Sequence, residues 1–299
     1  MERRDFLRSG VAAGAVLVGG ACARSGAVAG GPAAFTAPLA HAEPAHVAGL
    51  KQSVCKWCYP KQSVAELAAA ARRIGLRSVE LLGPEDWPVL KEHGLICALS
   101  SQPGPGGIPK GFNRVENHEW LIPAYRQRIR EAAEAGVPNV ICFSGNREGM
   151  DDQEGLQNCL RGVKQIVGDA ERQGVMVVME LLNSRIDHHD YMCDHTAWGV
   201  ELVKAVGSPH FKLLYDIYHM QIMEGDVIRT IRDNHEYIAH YHTGGVPGRH
   251  EIDASQELYW PAVMRAIAET GYDGYVAQEF VPTRDPLTSL AEAYRICTV

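Results

Sequence analysis

From about residue 50 onward, short apolar segments alternate with amphipathic segments along the chain. The apolar segments are rich in β-branched residues, which predicts buried β-strands. The eight predicted strands are Ser53–Trp57, Ser78–Leu82, Ile96–Ser100, Val140–Ser144, Val175–Leu181, Lys212–Asp216, Ile238–His242 and Tyr275–Phe280. Most intervening segments carry apolar residues at helical spacing, which predicts helices over Val64–Ile74, Leu121–Ala135, Leu156–Ala170, Thr196–Val206, Val227–His235, Ala262–Thr270 and Leu287–Ile296. This alternation favours a parallel β-sheet.

Eight strand–helix units in about 250 residues are typical of an α/β fold, the (β/α)₈ or TIM barrel. Five predicted helices are each followed by a glycine just before the next strand, the usual C-terminal position. These glycines are Gly75, Gly136, Gly174, Gly207 and Gly271. A doubly wound open sheet is the alternative, but its first strand is usually followed by a Gly-rich phosphate loop, and this chain has Cys-Lys-Trp-Cys-Tyr-Pro there. We therefore predict one TIM-barrel domain over residues 43–299.

The first 42 residues follow a different pattern. Paired arginines, Arg3 and Arg4, precede an apolar run from Val11 to Ala23 that is too short to span a bilayer stably. A charged start followed by a short apolar run is typical of a secretory signal, and Arg-Arg-Asp-Phe-Leu resembles the twin-arginine export signal. We predict a signal peptide and linker over residues 1–42, cleavage after Ala42, and export to the periplasm by the twin-arginine machinery; a plain basic tail is the alternative. The residues before Cys22 fit a lipobox poorly, which argues against lipid anchoring.

The charge is distributed unevenly between these two parts. The chain has 29 basic and 36 acidic residues, a formal net charge of −7. Because residues 1–42 contain four arginines and only two acidic residues, the remaining 257 residues have a net charge of −9. An acidic body argues against binding to nucleic acid, which requires a basic surface.

One pair of cysteines has the spacing of a redox or zinc motif. Cys55 and Cys58 match C-x-x-C, but no second pair and no thioredoxin-like sequence accompanies them. We interpret them as two strand residues that are three positions apart.

Polar groups gather at the C-terminal ends of the last four predicted strands, where TIM-barrel active sites lie. Strands five to eight end on Glu180, Asp216, His242 and Glu279. A carboxylate at the end of an apolar strand is costly unless something pairs with it. Three carboxylates and one imidazole suit a single divalent ion such as Mn²⁺, Mg²⁺ or Co²⁺, with Zn²⁺ as a further alternative. The opposing interpretation is that these four side chains are unrelated helix-cap and loop residues.

Two segments resemble a known family. Asp216-Ile-Tyr-His219-Met-Gln and Pro247-Gly-Arg249-His250-Glu251 resemble hydroxypyruvate isomerases, and most of residues 50–299 resemble the wider xylose isomerase-like superfamily of sugar isomerases and epimerases. Hydroxypyruvate isomerases carry glutamine at the third metal-ligand position. This chain has His242 there, as the ketose epimerases do.

The resemblance implies a reaction and assigns roles to residues. It implies one divalent metal ion held by Glu180, Asp216, His242 and Glu279. Glu180 and Glu279 would also transfer protons, while His219 and Arg249 would bind the substrate, a small sugar or keto acid. The reaction would remove a proton next to a carbonyl through a metal-stabilised enediolate, and the site of its return separates isomerisation from epimerisation.

Several alternatives stay open at this stage. A keto-sugar or keto-inositol dehydratase would use the same site, and a non-catalytic periplasmic sugar-binding protein would need no proton transfer. A zinc endonuclease for abasic DNA is disfavoured because its extra histidines are absent at the ends of strands two and three, Glu80-Leu-Leu-Gly83 and Ser100-Ser-Gln102. His240 shares a strand face with His242, so we expect it to support a ligand or pack in the core. TIM barrels often pair, which leaves a homodimer open.

Overall fold

The computed structural model describes residues 49–299, which form a nearly closed barrel of parallel strands. The strands are β1 (Lys51–Cys55), β2 (Ser78–Glu80), β3 (Leu99–Ser100), β4 (Asn139–Cys142), β5 (Met176–Glu180), β6 (Phe211–Asp216), β7 (Ile238–Thr243) and β8 (Tyr275–Gln278). They pair in the order β2-β1-β8-β7-β6-β5-β4-β3. Two isolated bridges, Ser78 to Ile96 and Leu82 to Ser100, join the chain around β2 and β3. The predicted TIM barrel is confirmed.

Helices surround the strands. They are α1 (Val64–Ile74), α2 (Trp87–Glu92), α3 (His118–Ala135), α4 (Asp152–Val163), α5 (Val167–Gln173), α6 (Thr196–Val206), α7 (Ile217–Met223), α8 (Val227–Asn234), α9 (Trp260–Glu269) and α10 (Pro286–Ile296). The bounds of α1 and α6 match the prediction. At the start of α1, Ser63 Oγ accepts a hydrogen bond from the Glu66 amide and the Glu66 carboxylate accepts one from the Ser63 amide. This local capping box explains why the sequence marks the start of α1 so clearly.

The single helix predicted over Leu156–Ala170 is wrong, because the chain forms α4 and α5 with a tight turn between them. In that turn the amides of Gln165 and Ile166 donate to carbonyls only three residues earlier, at Gly162 and Val163. The turn buries the Ile166 side chain completely. The short helices α2 and α7 were not predicted, since six and seven residues give too little periodicity.

The interpretation of the C-x-x-C pair needs one correction. Cys55 ends β1, but Cys58 lies in a 3₁₀ turn over Lys56–Cys58, in which the Tyr59 amide donates to the Lys56 carbonyl. Both thiols are free and buried. Burial raises the pKa of both thiols well above the usual value, so they stay protonated and poorly reactive at neutral pH.

The predicted signal peptide, its cleavage site after Ala42 and Cys22 all lie outside the described residues. The twin-arginine signal and the boundary at residue 42 therefore stay predictions. Among the helices of residues 49–299, none combines the length and apolar character needed to cross a membrane.

Candidate metal and substrate site

The four residues predicted to hold a metal ion come together at the C-terminal end of the barrel. Glu180, Asp216, His242 and Glu279 each offer a ligand atom, and these atoms all lie within 4.8 Å of one another. All four side chains are buried. Neighbouring parallel strands bring their ends to one rim, which is why residues 99 positions apart in sequence become neighbours.

The His242 ring points its Nδ1 atom at the carboxylates. This nitrogen lies 2.6 Å from Glu279 Oε2, 3.3 Å from Glu180 Oε1 and 3.9 Å from Asp216 Oδ2. Despite these short distances, Nδ1 has no hydrogen-bond partner within residues 49–299. Three carboxylates facing an unpartnered imidazole nitrogen form a donor set that could hold a divalent cation.

Arg249 contributes positive charge beside the same carboxylates. Its Nη2 donates to Asp216 Oδ2 at 2.6 Å and also donates to Glu279 Oε2. The guanidinium lies 4.8 Å from the centre of the Tyr218 ring, a cation–π contact. The loop after β7 thus turns the Arg249 side chain inward instead of leaving it at the surface.

The loop after β7 has an unusual backbone around Arg249. It contains a cis peptide bond between Val246 and Pro247, and Arg249 itself has a φ of 57°, a left-handed conformation that few residues other than glycine adopt. Hydrogen bonds hold this conformation, since the Arg249 amide donates to the Gly245 carbonyl and its own carbonyl accepts from Val281. Strained residues of this kind cluster at functional sites.

Glu251 shapes the same loop. Its carboxylate accepts hydrogen bonds from the Thr283 and Arg284 amides and from Ser289 Oγ. Burial opposes its ionisation, but these donors outweigh that effect and lower the pKa of Glu251 to about 2. The carboxylate thus ties the Arg249 loop to the loop after β8.

The two glutamates predicted to transfer protons differ electrostatically. Burial, together with the nearby Glu279 and Asp216, raises the pKa of Glu180 to about 7. Glu279 is equally buried, but Arg249 and His242 outweigh the burial and hold its pKa well below the usual range. Trp57 Nε1 also donates to Glu279 Oε1 at 2.6 Å. The site therefore offers one carboxyl group that can titrate near neutral pH and one carboxylate that stays ionised.

His219 lies beside these groups at the start of α7. Asp216 caps this helix, because its Oδ1 accepts a hydrogen bond from the His219 amide at 3.2 Å. Arg249 Nη1 donates to His219 Nε2 at 2.9 Å. Burial lowers the pKa of His219 well below its usual value, which keeps the ring neutral and suited to hydrogen bonding.

A cavity of about 610 Å³ opens above this cluster. Glu180, Glu279, His219 and Arg249 lie on its polar side, and its walls include Trp57, Leu81, Ile108, Ile141, Phe143 and Leu182. Apolar walls with a few convergent polar groups are typical of small-molecule sites. Trp87, by contrast, is buried and donates to the Leu82 carbonyl, so it packs in the core.

Sequence reasoning missed the residue on the other side of His242. Glu80, at the end of β2, is completely buried and accepts hydrogen bonds through Oε1 from His240 Nε2 at 2.8 Å and from His242 Nε2 at 3.0 Å. Burial opposes its ionisation, but the two histidines outweigh it and lower the pKa of Glu80 to about 2. The available signal was a carboxylate ending an apolar strand, the same signal that identified Glu180.

Comparison with known proteins identifies the family. The model of the xylose isomerase-like TIM barrel family matches residues 63–296. This chain belongs to that family. A 2-oxo-tetronate isomerase of Cupriavidus necator is 37% identical over 75% of this chain and 89% of its own length. A human protein named "Putative hydroxypyruvate isomerase" is 27% identical over 79% of this chain and 90% of its own.

Solved structures agree on the fold of this xylose isomerase-like protein. A family 2 AP endonuclease of Brucella melitensis superposes with a TM-score of 0.71 over 81% of this chain and 98% of its own, at 24% sequence identity. Identity this low shows the fold alone. The curated relatives in sequence are isomerases, which is consistent with an isomerase rather than a nuclease.

Proposed function

We propose that this protein is a divalent-metal-dependent isomerase or epimerase of a small sugar or hydroxy-keto acid. One observation carries the proposal: Glu180, Asp216, His242 and Glu279 converge beneath a cavity with mainly apolar walls, in a chain whose relatives are isomerases. All four residues are the proposed ligands of the divalent ion. When bound, the ion would polarise a substrate carbonyl and stabilise negative charge on its oxygen.

The proton transfers are assigned to Glu180 and Glu279. Glu180 is the last residue of β5 and Glu279 follows β8, and these strands are separated in the barrel by β6 and β7. Both glutamates line the cavity, so each is placed to act on a substrate bound there. An ionised carboxylate accepts the proton next to the carbonyl, and the protonated partner returns one. Return to the neighbouring carbon gives isomerisation, and return to the opposite face of the same carbon gives epimerisation.

Arg249 and His219 are the proposed substrate-binding residues. The planar guanidinium of Arg249 presents several donors toward the cavity, which suits hydroxyl, carbonyl or carboxylate oxygens. His219 is neutral, and the hydrogen bond from Arg249 Nη1 to its Nε2 atom fixes the two side chains relative to each other.

The experiment measures exchange of the substrate proton next to the carbonyl, so the product need not be known in advance. The protein is loaded with Mn²⁺, the ion is removed before spectroscopy, and ketoses, aldoses, hydroxypyruvate and 2-oxo-tetronate treated in D₂O are examined by NMR for deuterium next to the carbonyl. Glu180→Gln and Glu279→Gln should each slow incorporation by roughly 10²–10⁴-fold, the usual contribution of a positioned acid or base. Glu201→Gln, on the exposed side of α6, is the matched control and should not change the rate.

Two results would contradict the proposal. Wild-type rates in both variants would remove the glutamates from the reaction, and absence of exchange with every substrate in protein that binds Mn²⁺ would favour a binding protein. Loss of a substrate hydroxyl as water, seen in the same spectra, would identify a dehydratase.

We also propose export by the twin-arginine pathway, on the basis of Arg3, Arg4 and the apolar run that follows. Arg3→Lys together with Arg4→Lys should retain the full-length chain in the cytoplasm, whereas the native chain should be found in the periplasm, cleaved after Ala42. Fractionation followed by mass spectrometry measures both. Equal distribution of the two chains would contradict this proposal.

A further inference from the structure

A sealed cluster lies directly beneath the proposed metal site. It consists of Glu80 from β2 and of His240 and His242 from β7, whose side chains are all inaccessible to solvent. One oxygen atom, Glu80 Oε1, contacts Nε2 of both histidines, at 2.8 and 3.0 Å. The other oxygen, Oε2, makes no hydrogen bond. None of the three lines the cavity, and only His242 belongs to the proposed metal site.

The chemistry of the carboxylate determines where the histidine protons lie. An ionised carboxylate can only accept hydrogen bonds, so each histidine must carry a proton on Nε2 in order to donate to Glu80 Oε1. A histidine binds a cation only in its neutral form, and in that form a proton on Nε2 leaves the free lone pair on Nδ1. That is the nitrogen that lies 2.6–3.9 Å from Glu279, Glu180 and Asp216.

The opposite arrangement would prevent metal binding. With its proton on Nδ1, His242 would donate to Glu279 and turn its Nε2 lone pair toward the Glu80 carboxylate, which repels it. Within the described part of the chain, the only donors near Glu80 Oε1 are the two histidines and, at 3.9 Å, the Cys55 thiol. Glu80 therefore favours the one arrangement in which Nδ1 is free.

The Cys55–Glu80–His242 group is not a second metal site. Cys55 Sγ lies 3.9 Å from both Glu80 Oε1 and His242 Nε2, but that oxygen and that nitrogen are already bonded to each other. An ion here would have to displace two buried hydrogen bonds and deprotonate a buried thiol.

We propose that Glu80 is a positioning residue, which holds the proton of His242 on Nε2 and thereby keeps Nδ1 available to the cation. His240 is the second donor, and it fixes the orientation of the shared oxygen. Carboxylates that bind the far nitrogen of a metal-ligating histidine act in this way, and their loss typically weakens metal binding 10–100-fold. This inference rests on the proposed metal site.

The test combines Mn²⁺ binding with a spectroscopic signal that needs no metal. Glu80→Leu removes the acceptor and should raise the Mn²⁺ dissociation constant, measured by calorimetry, roughly 10–100-fold. In the metal-free protein, the Nε2-bound proton of His242 should resonate far downfield and exchange slowly with solvent. It is assigned by its absence from His242→Gln. In Glu80→Leu it should shift upfield.

Ser78→Ala is the matched control, because it removes another buried hydrogen bond from the same strand, the one that Ser78 Oγ accepts from the Ala98 amide at 2.8 Å. It should leave both measurements unchanged. Glu80→Gln keeps one acceptor oxygen and loses the charge, so its effect on the Mn²⁺ constant should be smaller than that of Glu80→Leu but larger than twofold.

The outcomes separate this inference from the proposed function. A folded Glu80→Leu variant with an unshifted proton and a constant within twofold of the wild-type value would overturn the positioning role. If that variant does not fold, Glu80→Gln decides by the same twofold criterion. A wild-type protein that binds no Mn²⁺ would overturn the proposed metal site, and with it the positioning role toward an ion.

Discussion

The two sides of the His242 ring contrast sharply. On the Nδ1 side, Glu180 is buried and its pKa is raised to about 7. On the Nε2 side, Glu80 is just as buried, yet its pKa is lowered to about 2. Both are glutamates at the ends of apolar strands, so burial is the same in the two places and cannot explain the difference.

The groups that surround each glutamate explain the difference between their pKa values. Glu80 receives two N–H donors and has no second carboxylate beside it, which stabilises its charged form. Glu180 shares its surroundings with Glu279 and Asp216, and like charges disfavour ionisation. On the Nε2 side, two histidine donors thus stabilise a single carboxylate, whereas the Nδ1 side has an excess of negative charge that a cation would balance.

The largest effect is expected on the Nδ1 side of His242, where the cation would bind. Asp216→Ala removes a completely buried carboxylate from the Nδ1 side and should weaken Mn²⁺ binding by more than about 100-fold, since a direct ligand contributes more than its supporting contacts. Calorimetry measures the constant. Asp233→Ala, on the exposed side of α8, should bind like the wild type. Equal affinity in both variants would rule out Asp216 as a ligand.

A smaller effect is expected from a substitution of Arg249, whose positive charge already lies on this side. Arg249→Lys keeps the charge but loses the planar fork that reaches Asp216 and His219. It should raise KM by roughly tenfold, the value of one lost charged hydrogen bond, and change kcat less. Steady-state kinetics on the substrate found by proton exchange give both constants, with Arg284→Lys as the exposed control. An unchanged KM would contradict substrate binding by Arg249.

The two glutamates should respond oppositely to the same substitution. At pH 8 in the metal-free protein, Glu180→Gln should increase the free energy of unfolding by about 1–3 kcal/mol, because it removes a carboxylate that is costly to ionise. Glu80→Gln should decrease it by about 1–3 kcal/mol, because two donors lose a charged acceptor. Urea unfolding measures both values. Changes of the same sign would show that the contrast across His242 is absent.

The smallest effects concern how the free energy of unfolding of each glutamine variant, relative to the wild type, changes with pH. The stability from Glu80 is fully present above about pH 4.5 and is lost as the pH falls toward 2, because its folded pKa lies below the unfolded value. The destabilisation from Glu180 is absent below about pH 4.5 and grows as the pH rises toward 7, because its folded pKa lies above the unfolded value. Unfolding of each glutamine variant beside the wild type from pH 2 to 8 resolves the two windows. A flat difference for either variant would contradict its shift.

Local signals made much of the fold predictable. The Ser63–Glu66 capping box and the left-handed Gly75 lie within one turn of the ends of α1, so both bounds could be read from neighbouring residues. The break between α4 and α5 could not, because it depends on the burial of Ile166 against other elements. The candidate site divides in the same way, since the sequence identified the residues at the ends of β5 to β8 but not Glu80.

By itself, the sequence determined the alternation of strands and helices and the ligand-type residues at the ends of the last four strands. Both depend on periodicity and position within single elements, which neighbouring residues express. Only the tertiary structure decided which way Arg249 turns and what Glu80 contacts. The hydrogen bonds of Glu80 reach across 160 and 162 residues to His240 and His242, and no local pattern carries information over that distance. The closure of the barrel brings these groups together and so determines which nitrogen of His242 faces the carboxylates.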